Sequence, residues 1–254
     1  MNYFVEGLQG SGKSTLVKKL SEKYPECKAV NEGDYSPIEL AWCARMSENQ
    51  YLEVLKQWND LKDQIIDKSH KEGDYWIVCY TKIKSQNRDF YHQLENYEIY
   101  NGRTSLEQYK NIVLTRYKNW QGDNNIFECS LFQNAVEDMI LFRDLPDETI
   151  IDFYKEVRSV LGEKEYEIYY IESSDIKSNI NIVRKERTDK EGNEIWFNML
   201  MSYFVNSPYA KKRSLKNYED LLEHLQHRQT LELRICHEVF DEKFTVIRSK
   251  AYDL

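Results

Sequence analysis

The sequence predicts an α/β fold in which a parallel sheet is flanked by helices and a phosphate-binding loop follows the first strand. Three observations predict it. "YFVE" is a short β-type run that breaks at Gly7, and "KSTLVKKL" resumes with Leu16, Val17 and Leu20 at helical spacing before Pro25. Between them, Gly7, Gly12, Lys13 and Ser14 satisfy G-x-x-x-x-G-K-[ST], the P-loop pattern. Further along, short apolar runs alternate with helical segments, which indicates βαβ units and a parallel sheet.

Each residue type in the loop has a physical reason. Gly7, Gly10 and Gly12 permit positive φ and close backbone approach, so successive N–H groups can turn toward one anion while the helix N-terminus adds its partial positive charge. Lys13 is expected to reach the β and γ phosphates of ATP, and Ser14 to offer its hydroxyl to Mg²⁺. Ser11 and Thr15 complete the expected ATP-binding set.

The elements then follow in order. "CKAVNEGDYS" holds a short second strand at Ala29 and Val30 that ends in Asn31, Glu32 and Asp34. From Ser36 to about Asp123 the chain reads as mostly helical, and "YLEVLKQWNDLKDQIID" places Leu52, Leu55, Trp58, Leu61 and Ile65 on one stripe. "YWIVCYTKI" inside this stretch reads as an extra strand. "NNIFECS" gives a third core strand ending at Glu128, followed by a helix through Val136, Met139 and Ile140. "DETIIDFYKEVRSVLG" is a helix with an acidic first turn, a stripe of Ile150, Ile151, Tyr154, Val157 and Leu161, and a stop at Gly162. "YEIYYIESSD" is the clearest later strand, with Ser173, Ser174 and Asp175 as turn and cap residues. "IKSNINIVRKERTDKEGNE" begins as a helix and runs into a charged loop around Gly192. A long helix, "KNYEDLLEHLQHRQTLELRICHEV", and a last strand, "KFTVIRS", close the pattern. No repeat or low-complexity linker marks a boundary, so the expectation is one domain over residues 1–254 with a helical insertion at about 35–120.

Composition limits the partners. With 41% hydrophobic residues in 254, the chain can bury a full core, while a net charge of −8 disfavours nucleic acid or an anionic membrane as the main partner. The five cysteines, Cys27, Cys43, Cys79, Cys129 and Cys236, form no CxxC pair and suit a reducing compartment as buried thiols. No leader fits before Gly7 and no apolar run approaches about 18 residues, so a cytoplasmic, soluble protein is expected. A homodimer is left open.

In open α/β sheets, ligands bind outside the carboxyl ends of the strands. Strand two ends at Glu32 and strand three at Glu128, Cys129 and Ser130, so two carboxylate sites are expected beside the anion cradle. Carboxylates repel a purely anionic ligand, but they hold Mg²⁺ and deprotonate a hydroxyl.

These residues resemble the deoxynucleoside kinase and thymidylate kinase group of P-loop kinases. In that group the loop is followed by a Glu at the end of strand two, an E-R-S or D-R motif at the end of strand three, and an Arg-rich lid. Here the order is "EGLQGSGKST", "NEGDYS", "IFECS", then "IYYIESSDIKSNINIVRKERTDKEG". The resemblance implies that Glu32 is the base near the acceptor hydroxyl and that Glu128 helps Ser14 hold Mg²⁺. It also implies that Arg184 and Arg187, in a lid at about 181–194, close over the phosphates. Cys129 stands where the family has Arg, and the insertion matches no part of the family pattern.

The implied activity is an ATP- and Mg²⁺-dependent kinase of a small-molecule hydroxyl, most simply that of a nucleoside. Asp34, Tyr35, Trp42, Tyr97 and Arg103 are the candidate acceptor-binding residues, and the aromatic faces of Tyr35, Trp42 and Tyr97 suit a planar ring. A nucleoside monophosphate kinase is the less favoured alternative, since Glu32 has Asn31 and Gly33 as neighbours and no Arg. A regulatory NTPase or switch is the other, although no N-K-x-D or D-x-x-G motif is present. His224 and His227, one turn apart, read as a solvated helix face, and Ser130 lacks the partners of a hydrolase triad.

Overall fold

The structure, a computed structural model, describes residues 1–249. The chain builds two compact units, Met1–Ala29 with Gln121–Leu254, and Val30–Trp120. In chain order it forms β1 (Asn2–Gly7), α1 (Lys13–Lys23) and the short β2 (Lys28–Val30). Next come β3 (Ala44–Ser47), α2 (Glu48–Gln57), α3 (Lys62–Asp67), β4 (Ser69–Glu72), β5 (Tyr75–Val78), α4 (Arg88–Glu95) and α5 (Leu106–Asn119). The chain then returns to the first unit with β6 (Asn125–Glu128), α6 (Gln133–Leu141), α7 (Asp147–Leu161), β7 (Tyr166–Glu172) and α8 (Ile176–Glu186). It finishes with α9 (Ile195–Asn206), α10 (Pro208–Arg213), α11 (Tyr218–Val239) and β8 (Phe244–Arg248).

The five-stranded sheet has the order β2-β6-β1-β7-β8, and β1 pairs in parallel with both β6 and β7. The expected α/β architecture with a helix-flanked parallel sheet is therefore present. Period-two alternation along β1 decides what each face meets. Tyr3 and Val5 join Leu16, Val17 and Leu20 of α1 in one core cluster. Phe4 lies on the opposite face, stacked on Phe127 and edge-on to Tyr166. That second face is rich in aromatics: Phe132 meets Tyr154 and Phe240. The stripe Ile150, Ile151, Tyr154, Val157 and Leu161 of α7 is buried as the periodicity requires.

Two features of the first unit differ from the sequence expectation. His224 is not on a solvated face: it is 2% exposed, stacked on Phe204, with Nε2 3.1 Å from Glu137 Oε2. Helical spacing alone cannot tell that a buried carboxylate waits opposite. Cys27 is only partly buried, whereas the other four cysteines are buried.

The second unit is less helical than expected. Its core includes a three-stranded antiparallel sheet of order β3-β5-β4. Of the strand expected over residues 75–83, only Tyr75–Val78 forms, as the central member, while Tyr80–Lys82 closes into a 3₁₀ turn; Ala44–Ser47 and Ser69–Glu72 pair on either side. Four-residue strands of mixed polarity carry too few periods to be recognised without their partner. The long helix expected around residues 51–67 is broken after Gln57 by a 3₁₀ turn at Asn59–Leu61. The break shifts the phase of the stripe: Tyr51, Val54, Leu61 and Ile65 are buried, while Leu52 is 52% exposed.

Candidate functional site

The phosphate loop is shaped by close backbone approach. Gly7 has φ 136°, and a Cβ there would stand 2.6 Å from the carbonyl oxygen of Ile171 in β7. Gly10, at φ 78°, leaves only enough space for α8: a Cβ would fall 2.7 Å from Val183 Cγ2 and 3.1 Å from Asn179 O. Glycine alone meets both conditions without strain. Gly12 is the left-handed N-cap of α1, and the N–H groups of Thr15 and Leu16 bond its carbonyl. Ser11 is buried, and its carbonyl accepts from Ser249 Oγ at 2.9 Å.

Lys13 lies at the start of α1 with its ammonium donating to Gly7 O at 2.9 Å and Leu8 O at 2.8 Å. An ammonium has three donors, so one remains for a phosphate oxygen. Ser14 Oγ donates to Glu128 Oε1 at 2.5 Å, which joins the loop to the end of β6. A hydroxyl and a single carboxylate are hard oxygen donors that fit Mg²⁺, which takes few protein ligands and fills the rest of its octahedron with phosphates and water. Cys129 follows with φ 57° and is buried, its N–H bonded to Val5 O.

Arg184 lies on α8, the helix whose Asn179 and Val183 abut Gly10, and Arg187 is its C-cap. Arg184 Nε donates to Glu194 Oε1 at 2.6 Å, and its guanidinium lies 4.1 Å from the Phe197 ring centroid. The Arg187 guanidinium is 5.3 Å from the Trp196 ring. Both cations thus rest on the end of the 188–194 loop and the start of α9, at Glu194, Trp196 and Phe197.

The remaining candidates belong to the second unit. Glu32 Oε1 accepts from Trp42 Nε1 at 2.9 Å, and Trp42 is 47% exposed with φ 63°. Asp34 accepts from the N–H and side-chain amide of Asn31 and pairs with Lys82 Nζ at 3.0 Å. Partial burial opposes ionisation of Asp34, but the bonds from Lys82 and Asn31 outweigh it and lower its pKa. Tyr35 donates to Glu72 Oε1 at 2.7 Å and stacks on His70. Tyr97 packs against the core of this unit, and Arg103 pairs with Glu95 at 2.6 Å.

Two buried charged features near the phosphate loop escape sequence reasoning. Glu6, on the same face of β1 as Phe4, is fully buried and accepts from the N–H groups of Leu131, Phe132 and Gln133 at the start of α6. Burial pushes its pKa up to about 8 against those donors and the nearby Lys13 charge. The second is a buried network around Arg228 of α11, which donates to Glu232 Oε1 at 2.8 Å, Glu137 Oε2 at 3.0 Å and, in the phosphate loop, Gln9 Oε1 at 3.2 Å. Burial resists ionisation of Glu137, but its contacts with His224 and Arg228 outweigh it and lower its pKa to about 2. The only sequence trace is the Arg228/Glu232 i,i+4 spacing.

Among the described residues, no group of three or more His, Cys, Asp or Glu is arranged to hold a metal ion. No described helix is long and apolar enough to cross a membrane. No protein-family model and no curated protein matches the chain. Among solved structures, the deoxyadenosine kinase from M. mycoides with bound dATP aligns over 98% of this chain and 92% of that one, at 18% identity and a TM-score of 0.39.

Proposed function

We propose that this protein is an ATP- and Mg²⁺-dependent phosphotransferase that passes the γ-phosphate to a hydroxyl of a nucleoside or similar small molecule. The observation that carries it is the 2.5 Å contact between Ser14 Oγ and Glu128 Oε1, one residue from the Lys13 ammonium. A carboxylate so close to an anion cradle is unfavourable for a bare triphosphate and would be favourable with a divalent cation held beside it. Mg²⁺ would supply charge neutralisation of the β and γ oxygens; Ser14 and Glu128 would hold it. Lys13 binds the same phosphates, and Arg184 and Arg187 stabilise charge on the transferring group.

The order of motifs makes Glu32 the general base for the acceptor. The charges around its turn support a neutral acceptor. Lys82 is spent on Asp34, Arg103 on Glu95, and Arg116 on Glu72 and the Ser36 carbonyl, so each of these cations already has an anionic or carbonyl partner. A phosphorylated acceptor would need such a cation for itself.

The test is Mg²⁺ dependence. Glu128→Gln keeps the acceptor for Ser14 but removes the charge, so the Mg²⁺ concentration for half-maximal phosphoryl transfer should rise by about tenfold or more, the size of a lost ion–ligand interaction. A Mg²⁺ titration identical to that of the wild type would remove Glu128 from the metal site. The lid gives a second test. Arg184→Ala should lower kcat by about 10- to 100-fold with little change in acceptor KM, because charge on the phosphoryl group develops in the transition state. A steady-state series showing only a KM effect would assign Arg184 to ground-state binding.

A further inference from the structure

Two buried thiols stand together in the second unit, outside every role assigned above. Cys43 immediately precedes β3 and Cys79 immediately follows β5. Their neighbours Ala44 and Val78 are register partners in the antiparallel ladder, so the cysteines face each other one step beyond it. Cys43 Sγ lies 3.7 Å from Cys79 Sγ. Opposed residues of an antiparallel pair have Cα atoms about 4.5–5.5 Å apart, within the roughly 4.4–6.8 Å that a disulfide accepts. Closing 3.7 Å to the roughly 2.05 Å of a disulfide asks the two sulfurs to approach by less than about 2 Å.

We propose that Cys43 and Cys79 are a redox modification site, at which a peroxide-class oxidant forms a reversible disulfide that restrains the turn carrying Glu32 and Asp34. The two thiols are unequal. The Cys43 S–H donates to Cys79, and this bond, with the charges of Lys82 and Lys68, lowers the Cys79 pKa against burial and Asp34. Giving that bond, together with burial, raises Cys43. Because Cys79 sulfur is the acceptor of that bond and its backbone is bonded to both Lys68 and Lys82, Cys79 is assigned as the attacking sulfur and Cys43 as the resolving thiol. In the first step the Cys79 thiolate attacks one peroxide oxygen, the O–O bond breaks, and a proton is taken up, giving a sulfenic acid and water. In the second, Cys43 sulfur attacks Cys79 sulfur, the S–O bond breaks, and the hydroxyl leaves as water with the Cys43 proton. Two thiols and one hydrogen peroxide thus give one disulfide and two waters. A dithiol reductant reverses the bond by exchange.

The consequence for catalysis rests on the role proposed for Glu32; the chemical step does not. Trp42, which donates to Glu32, is the residue before Cys43. Lys82, which pairs with Asp34, bonds the Cys79 carbonyl through its own N–H at 3.1 Å. Both arms holding the turn therefore start at the sulfur pair.

The experiment treats the whole protein with hydrogen peroxide, blocks remaining thiols and maps unreduced peptides by mass spectrometry. The expected result is one cross-linked species joining Cys43 to Cys79, loss of two of the five thiols, and full recovery with dithiothreitol. In Cys43→Ser, Cys79 should instead be trapped as a sulfenic acid by dimedone. Oxidation of wild-type protein that leaves both thiols unlinked, or links a different pair, overturns the site. With the disulfide mapped, acceptor KM should rise several-fold and return on reduction while ATP affinity stays constant. Unchanged acceptor kinetics in the cross-linked protein would overturn its coupling to Glu32 and leave Glu128 and the Mg²⁺ titration to judge the kinase assignment separately.

Discussion

Lys13→Ala is expected to lower phosphoryl transfer by about 100- to 1,000-fold, the loss found when one preorganised charge or donor is taken from a transition state. The ammonium already bonds Gly7 O and Leu8 O, so it acts in two ways. It braces the loop and it presents charge to the phosphates. The fold should survive, because α1 is held by Leu16, Val17 and Leu20 in the core beneath the sheet, and the bonds of the lysine reach only loop carbonyls. Titration calorimetry with Mg²⁺-ATP, alongside a thermal melt, checks both parts. Equal ATP affinity in the variant and the wild type would show that the loop does not bind the nucleotide through Lys13.

Glu32→Gln is expected to lower acceptor phosphorylation by about 100-fold or more, within the range that general-base loss costs, while Mg²⁺-ATP still binds. The substitution keeps an oxygen for the Trp42 indole N–H at 2.9 Å, so the local turn is preserved and the change is confined to charge and basicity. Phosphorylation of a panel of nucleosides and other alcohols, followed by single-turnover kinetics on the best acceptor, measures it. A wild-type rate in Glu32→Gln would make Glu32 a structural strand-end residue. Asp34 is then a poor substitute base, since its oxygens are engaged by Asn31 and Lys82 and its pKa is lowered. ATP hydrolysed at one slow rate by both proteins, with no acceptor phosphorylated, would replace the kinase by a nucleotide-binding regulatory protein.

What the sequence by itself determined was whatever depends on local spacing. Gly7, Gly12, Lys13 and Ser14 define the loop because its conformation needs glycine at fixed offsets, and the strand before it and helix after it are adjacent in the chain. The later strands and helices were legible where they ran long enough for several periods, as in α7 and β7. The tertiary structure alone decided which distant groups meet. It brought Glu128 to Ser14 across 114 residues. It set Gln9 against Arg228, 219 residues away, and buried His224 on Glu137. It turned four-residue segments of the second unit into a sheet by pairing them, and it aligned Cys43 with Cys79 at the end of that ladder. The physical reason is the same in each case: hydrogen bonds, ion pairs and sulfur contacts act over a few ångströms of space, and separation along the chain does not enter their energy.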